Sequence, residues 1–184
     1  GTGLTNVAAA TGNTITVSGA AANSATGVRA VDLGSAAVDA DVDTIDASGL
    51  TGGGIEVTMS ASTTLGITGG AGNDDVTTGA VLTTGSVDAG AGAADKLTVA
   101  GATHLATAAL GAKYTNFETL ENATTAIQSM SNISGITSVT SAGAAGGFNN
   151  MNAAQLGAIT NTVDQTSITY LLADGTGTSD VANV

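Results

Sequence analysis

Short stretches of alternating hydrophobic and polar residues recur along the first part of the chain and end at turns that contain Gly or Ser. They cover residues 14–17, 28–33, 42–46, 55–59 and 65–68, at broadly similar spacing. Alternation with a period of two sends successive side chains to opposite faces, so each stretch predicts a β-strand with one buried face. Repetition on this scale is typical of a solenoid with loops of variable length.

Composition favours a parallel β-solenoid, in which turns of the chain stack about 4.8 Å apart. Ala, Gly, Thr, Ser and Val fill most positions and aromatic residues make up only 2%, too few for a large globular core. A β-sandwich also has short, regularly spaced strands. It usually contains more aromatic residues and some Pro, which this chain lacks, so it is the second choice. Hydrophobic residues, many of them periodically spaced, make up 42% of the chain and argue against disorder.

We expect the 184 residues to form one elongated solenoid segment. It divides into a strand ladder over residues 1–68, Gly-rich loops over 69–100 and a continuing solenoid over 101–184. In the last part we predict strands that include residues 117–120, 136–140 and 167–172, and one short helix within 152–159.

The strongest motif is GGAGNDDVT at residues 69–77, which matches the nonapeptide G-G-x-G-x-D-x-U-x of calcium-binding β-helix repeats. We expect its glycines to take positive φ and turn carbonyl oxygens inward, while Asp74 adds a charged oxygen. Calcium takes six to eight oxygen ligands at roughly 2.3–2.6 Å. One loop cannot supply them, so the motif predicts a neighbouring turn stacked on it.

A degenerate copy of the motif follows within residues 88–97. The copy aligns Gly90 with Gly70, Gly92 with Gly72, Asp95 with Asp74 after one inserted residue, and Leu97 with Val76. The two loops begin at Gly69 and Ala89, a separation close to one solenoid turn. We therefore expect the second loop to stack directly on the first, with calcium between them. The alternative is a pair of tight Gly turns with exposed Asp side chains and no metal.

Two weaker acidic features remain open. Residues 174–181 have a G-x-G-x-x-D-V shape, which is either another calcium loop or only a turn. The cluster of Asp39, Asp41 and Asp43 begins like an EF-hand loop, but Thr44 stands where that loop needs Gly. On a strand these three carboxylates would share one face, as a solvated acidic surface or as part of a shared calcium site.

The candidate calcium ligands can be collected from these loops. They are Gly70, Gly72, Asp74, Asp75, Asp88, Gly90, Gly92, Asp95, Asp174 and Asp180.

The net charge of the chain limits the kinds of molecule that we expect it to bind. Fifteen acidic and three basic residues give a net charge of −12, which argues against nucleic acid and anionic membranes and fits divalent cations. The chain has no Cys, no apolar run long enough to span a membrane and no Met or signal peptide at its start. We expect it to be a piece of a longer protein whose secretion signal lies elsewhere.

Catalytic chemistry is not expected. His104 is the only histidine, no G-x-S-x-G motif accompanies it, and a zinc site would need further N or S ligands. We predict that His104 is a surface or turn residue and that the chain is not an enzyme.

Taken together, these features resemble the calcium-dependent S-layer proteins of Gram-negative bacteria, which carry RTX-type repeats and leave the cell by type I secretion. The resemblance rests on residues 44–52 (TIDASGLTG), 69–76, 90–97, 117–120 (FETL) and 177–181 (GTSDV). The nonapeptide is shared by RTX proteins in general. The Asp-Ala-Ser and Phe-Glu-Thr-Leu features point more narrowly to S-layers and large surface adhesins.

The resemblance implies a right-handed, calcium-bound β-solenoid that packs with copies of itself into a lattice on the outside of the cell. It also implies that a cell-surface polysaccharide is reached through another domain. The implied ligands are the carbonyls of Gly70, Gly72, Gly90 and Gly92 and the carboxylates of Asp74 and Asp95. Because only one nonapeptide is complete, we expect a few calcium sites rather than a dense ladder. The alternative is a segment of an RTX adhesin that binds glycans or surfaces.

Overall fold

The computed structural model describes residues 13–25, 27–34 and 36–173 of the chain. The strands are β1 (Asn13–Ala22), β2 (Val31–Asp32), β3 (Val42–Gly52), β4 (Ile55–Thr58), β5 (Gly66–Thr68), β6 (Asp75–Thr77), β7 (Val87–Asp88), β8 (Lys96–Val99), β9 (Tyr114–Thr115), β10 (Thr119–Asn122), β11 (Ile127–Ser129), β12 (Ser138–Ser141), β13 (Ala145–Met151), β14 (Ile159–Asn161) and β15 (Ser167–Leu172). The helices are α1 (Ala108–Gly111), α2 (Ala153–Leu156) and a 3-10 turn at Met130–Asn132. None of these helices has the length and apolar character that crossing a bilayer requires.

The strands form three parallel sheets. A seven-stranded sheet has the order β14-β12-β10-β8-β6-β4-β2, a five-stranded sheet the order β1-β3-β5-β7-β9, and a three-stranded sheet the order β11-β13-β15. Neighbouring strands come from successive turns of the chain, which winds into a β-solenoid of about six turns. The predicted solenoid is therefore confirmed. The β-sandwich is excluded because sandwiches are built from antiparallel sheets.

The interior of the seven-stranded sheet is a column of aliphatic side chains from successive turns. Val57, Val76, Leu97, Leu120 and Val139 lie in register along it, and each is at most 1% exposed. Burying one such side chain contributes about 1.5–3 kcal/mol. This column explains why the hydrophobic pattern predicted β4, β10 and β12, since every second residue of these strands must face it.

Larger, aromatic side chains are buried at the end of the five-stranded sheet and in the three-stranded sheet. Tyr114, Phe117 and Phe148 are each at most 1% exposed, and the Phe148 and Tyr170 rings stack with centroids 6.4 Å apart. Tyr114 thus lies on the last strand of the five-stranded sheet, whereas Phe148 and Tyr170 lie on β13 and β15 of the three-stranded sheet.

Three elements show where the sequence pattern predicted the structure and where it did not. The short helix α2 lies within the predicted range, and Asn152 and Gln155 close it with a reciprocal capping box. Strand β13 was missed, because its sequence AGGFNNM does not alternate and its pairing with β11 and β15 comes from neighbouring turns. The predicted strand at residues 28–33 is also shorter than expected, since only β2 forms there.

Close stacking of backbones accounts for glycines that have ordinary φ angles. At Gly79 an added Cβ would lie 2.1 Å from the carbonyl oxygen of Ser60 on the turn before. Real Cβ contacts are never this short, so any side chain there would push two turns apart.

We predict that Gly79→Ala destabilises the protein by about 1–3 kcal/mol, because overpacking forces backbone shifts. Gly157→Ala is the matched control, since its Cβ would meet only ordinary contacts at 3.5 Å. Thermal unfolding followed by circular dichroism should show a lower Tm for Gly79→Ala alone. Equal Tm values for the two variants would contradict the stacking argument.

Candidate functional site

The two Gly-rich loops occupy the same corner of the solenoid on successive turns. The first loop, residues 69–74, connects β5 to β6, and the second loop, residues 89–95, connects β7 to β8. The backbone N–H of Ala91 donates to the carbonyl of Gly70 at 3.1 Å, and β6 pairs with β8 in register. The predicted stacking of the second loop on the first is therefore confirmed.

Acidic side chains form a column at this corner, which we call the carboxylate column: Asp74, Asp95 and Glu118. Each accepts a hydrogen bond from a backbone N–H one turn earlier. Asp74 Oδ1 accepts from Ile55 N at 2.6 Å, Asp95 Oδ1 from Asp74 N at 2.6 Å, and Glu118 Oε2 from Asp95 N at 2.9 Å. The bonds span 19, 21 and 23 positions, one turn of the solenoid each.

The two Asp side chains also bind their own loops. Gly70 N donates to Asp74 Oδ2 at 3.1 Å, and Gly92 N donates to Asp95 Oδ2 at 3.0 Å. Bonds from N–H groups to an ionised acceptor are roughly twice as strong as neutral ones. Each carboxylate therefore fastens its loop to the turn before it. Both Asp side chains are buried, so the exposed Asp side chains that the metal-free alternative assumed are not found at Asp74 and Asp95.

Two asparagines extend this pattern of contacts between turns. Asn23 Oδ1 accepts from Gly54 N at 2.9 Å, and its Nδ2 donates to the carbonyl of Asn73 at 2.8 Å. Asn73 Oδ1 in turn accepts from Ala93 N at 3.0 Å. Sequence reasoning missed both asparagines and Glu118. The one available signal was that Glu118 follows Asp95 by about one turn.

Burial dominates the electrostatics of the column. It raises the pKa of Asp74 to about 7, against the opposing effect of the N–H bonds from Ile55 and Gly70. Burial also raises the pKa of Asp95 to about 6, and the charge of Glu118 adds to this shift. At neutral pH burial therefore leaves Asp74 only partly ionised.

The structure corrects the predicted role of the glycines. Gly69, Gly70 and Gly72 do not have positive φ, and in these two loops only Gly90 does, at +89°. A Cβ on Gly70 would lie 2.2 Å from the carbonyl oxygen of Gly53. These glycines are needed chiefly because the backbones of adjacent turns nearly touch.

Other predicted ligands lie away from the column. Asp75 lies on β6 and pairs with Arg29 at 2.9 Å and, more loosely, with Lys96 at 3.8 Å. Asp88 lies on β7 in the five-stranded sheet, and its Oδ1 accepts from Asn116 Nδ2 at 2.7 Å. The structure therefore brings Asp74 and Asp95 together but places Asp75 and Asp88 on strands of two different sheets.

The remaining acidic residues singled out from the sequence are Asp39, Asp41, Asp43, Asp174 and Asp180. Asp39, Asp41 and Asp43 do not share one face of a strand, because β3 begins only at Val42 and Asp39 Oδ1 accepts from Asp41 N in a turn. The strand arrangement therefore does not form, since the local side-chain hydrogen bond favours a turn over an extended strand. Asp174 and Asp180 lie outside the described residues.

His104 lies in the turn between β8 and α1, as predicted. Its Nδ1 is 2.6 Å from Thr78 Oγ1, and burial lowers its pKa. Thr78 Oγ1 also accepts from Ala100 N at 3.0 Å, so the pair holds this turn against the preceding one.

The donor chemistry of the column suits calcium, which prefers oxygen ligands. Two N–H groups bind each Asp carboxylate, and a carboxylate has about four lone-pair positions, so acceptor capacity is left over. Across the described ranges no three acidic or histidine side chains converge as a metal cluster. A calcium ion at this corner would therefore need backbone carbonyls as well.

Without calcium, we predict that the protein loses stability as the pH rises from 4 to 7. The folded pKa of Asp74, about 7, lies above its reference value of 3.8, so in this window the folded state holds a proton that the unfolded chain has released. The stabilisation is complete below pH 3.8 and is lost as the pH passes 7. Tm measured in a chelator across this range tests it.

Asp74→Asn is the control for this pH dependence. It keeps an oxygen for Ile55 N but cannot ionise, so its Tm should fall less steeply with pH. The same slope in both proteins would contradict the assignment to Asp74.

Comparison with protein families, with characterised proteins and with solved structures gives no match to this chain.

Proposed function

We propose that this chain is a calcium-stabilised structural segment of a bacterial surface layer, which assembles with copies of itself on the outside of the cell. The observation that carries the proposal is the stacking of two buried carboxyl groups, Asp74 and Asp95, from successive turns. Burial raises the pKa of both groups, so their ionised forms are disfavoured in this corner, and a bound cation would offset that cost. The net charge of −12 supplies a general reason for a cation to favour the folded chain.

The residues that would hold calcium are Asp74 and Asp95, with Glu118 and loop carbonyl oxygens beside them. Bound calcium supplies positive charge to oxygen ligands in a poorly solvated corner. The chain's own contribution is to hold the carboxylates in place, since each is anchored to backbone N–H groups of its loop and of the turn before. The ionised column would then fasten consecutive turns together.

A structural role agrees with the distribution of aromatic residues better than glycan binding does. Sugar-binding surfaces usually present exposed aromatic rings. The chain has two Tyr and two Phe, of which Tyr114, Phe117 and Phe148 are buried and Tyr170 is partly buried against Phe148. Nothing in the described residues therefore favours the adhesin alternative.

The proposal also includes a route to the cell surface. Low calcium in the cytosol would leave the column uncompensated and the acidic chain poorly folded, which suits type I secretion. Higher calcium outside the cell would then favour folding and assembly.

We predict that millimolar calcium raises the Tm at pH 7.5 and increases the β-signal in circular dichroism. A ligand present at about 100 times its Kd stabilises the folded state by about 2.7 kcal/mol, and each kcal/mol corresponds to about 2–4 °C for a chain of this size. The measurement compares Tm in calcium with Tm in EDTA. No difference between the two conditions would refute the calcium part of the proposal.

Asp74→Asn should reduce this calcium-dependent rise in Tm and weaken calcium binding measured by calorimetry. Asp41→Asn is the matched control, because it removes the same charge from an exposed turn. Equal effects of the two substitutions would show that calcium does not bind at the column.

Self-assembly is tested by electron microscopy of the purified protein with and without calcium. We expect ordered sheets in calcium and dispersed particles in EDTA. Soluble monomers that bind a glycan array in calcium would replace the surface-layer proposal with the adhesin alternative.

A further inference from the structure

The connection from β8 to β9, residues 100–113, is longer than its counterparts on the two turns before, and we call it the long connection. The counterparts span residues 59–65 and 78–86. Although the long connection contains α1, Leu105 within it is only 1% exposed. Asn132 on the following turn donates from Nδ2 to the carbonyl of Leu105 at 2.7 Å. The long connection is therefore packed closely onto the solenoid.

On the preceding turn, the side chain of Thr78 holds the same connection. Its Oγ1 accepts from Ala100 N at 3.0 Å and lies 2.6 Å from His104 Nδ1. The imidazole ring also covers Gly101, where an added Cβ would meet the ring at Nε2, Cδ2 and Cε1. His104 is therefore placed against Thr78 by packing as well as by the hydrogen bond.

The hydroxyl group of Thr78 decides which form of His104 fits. A hydroxyl oxygen has two lone pairs and one proton to donate. Ala100 N uses one lone pair, and within the described part of the chain the other hydrogen-bond partner of this oxygen is His104 Nδ1. Because Thr78 is only 1% exposed, its proton must go to Nδ1, which accepts it only in neutral imidazole. A charged imidazolium donates from Nδ1 and would leave the buried hydroxyl proton without an acceptor, which is costly.

We propose that Thr78 and His104 form an acid-sensitive latch, which closes the long connection onto the preceding turn while His104 is neutral and releases it when His104 binds a proton. In the closed latch the histidine is the Nε2–H tautomer. Opening exposes Ala100 N and the apolar side chain of Leu105, so acid loosens the solenoid locally. The latch follows β6 and β8 in the chain, whereas the carboxylate column precedes them, and the latch does not depend on calcium.

Charged side chains on the surrounding elements do not set the protonation of His104. They are Asp75 on β6, Lys96 on β8, Glu121 on β10 and Lys113 after α1, while α1 itself and the 3-10 turn carry none. Lys96 pairs with Asp75 and Glu121. Burial alone accounts for the pKa of His104 being lower than its usual 6.5.

The lowered pKa fixes the direction of the pH dependence. Below pH 6.5 the unfolded chain binds a proton that the folded state does not yet bind. The stabilisation from the latch is therefore complete above pH 6.5 and is lost as the pH falls through the folded pKa. This direction is opposite to that of Asp74, through which acid stabilises the folded state.

Nuclear magnetic resonance tests the latch directly, because His104 is the only histidine in the chain. At pH 7.5 we expect the nitrogen shifts of the Nε2–H tautomer, and a pKa below 6.5 in the folded protein. After correction for intrinsic exchange, the hydrogen-exchange protection of Ala100 N should fall as the pH is lowered through that pKa. The fall should approach about tenfold for each unit by which the pKa is lowered. An Nδ1–H tautomer, a pKa of 6.5 or above, or protection that does not fall would overturn the proposal.

His104→Asn and Thr78→Ser separate titration from packing. Asn places an amide oxygen close to the position of Nδ1, which accepts the Thr78 proton but does not titrate, so Ala100 N should stay protected in acid. Thr78→Ser keeps the hydroxyl group and should keep the pH dependence of the wild type. The same pH dependence in His104→Asn as in the wild type would overturn the latch. The tautomer and the pKa are measured on the wild type, so they decide the proposal even where a variant does not fold.

Discussion

A hydrogen bond from the backbone of one turn to a buried carboxylate of the next turn governs the corner around which this solenoid is built. Asp74 and Asp95 each make such a bond at 2.6 Å, and each also holds its own loop. The bonds satisfy N–H groups that lie inside the corner and would otherwise be buried without partners. The position of the loops, the register of β6 on β8 and the need for glycine all depend on this close contact.

The same contact buries the two carboxyl groups, and the cost of ionising them there is the basis of the proposed calcium site. N–H groups favour the ionised form of the carboxyl groups, but burial disfavours it more strongly and raises both pKa values. Under the proposed function, bound calcium would supply the positive charge that offsets this cost.

Much of the fold could be predicted because a solenoid repeats one local pattern. Alternating residues marked β3, β4 and β5, and the motif and its copy correctly placed one loop on the other. Strand β13 was not predicted because its residues AGGFNNM do not alternate between hydrophobic and polar. The prediction that the loop glycines are needed for positive φ was also wrong. A positive φ can be predicted from a single residue, but the close approach of Gly70 to Gly53 depends on a neighbouring turn of the solenoid.

The sequence by itself determined the class of fold, the stacking of the two loops and the importance of Asp74 and Asp95, because these follow from local period and from residues repeated one turn apart. Only the tertiary structure decided what the Asp side chains contact, that Glu118 and Asn23 belong to the same corner, and that Arg29 pairs with Asp75. The physical reason is that turn length varies, from 19 to 23 positions in the column. Contacts between turns are therefore fixed only when the chain has stacked.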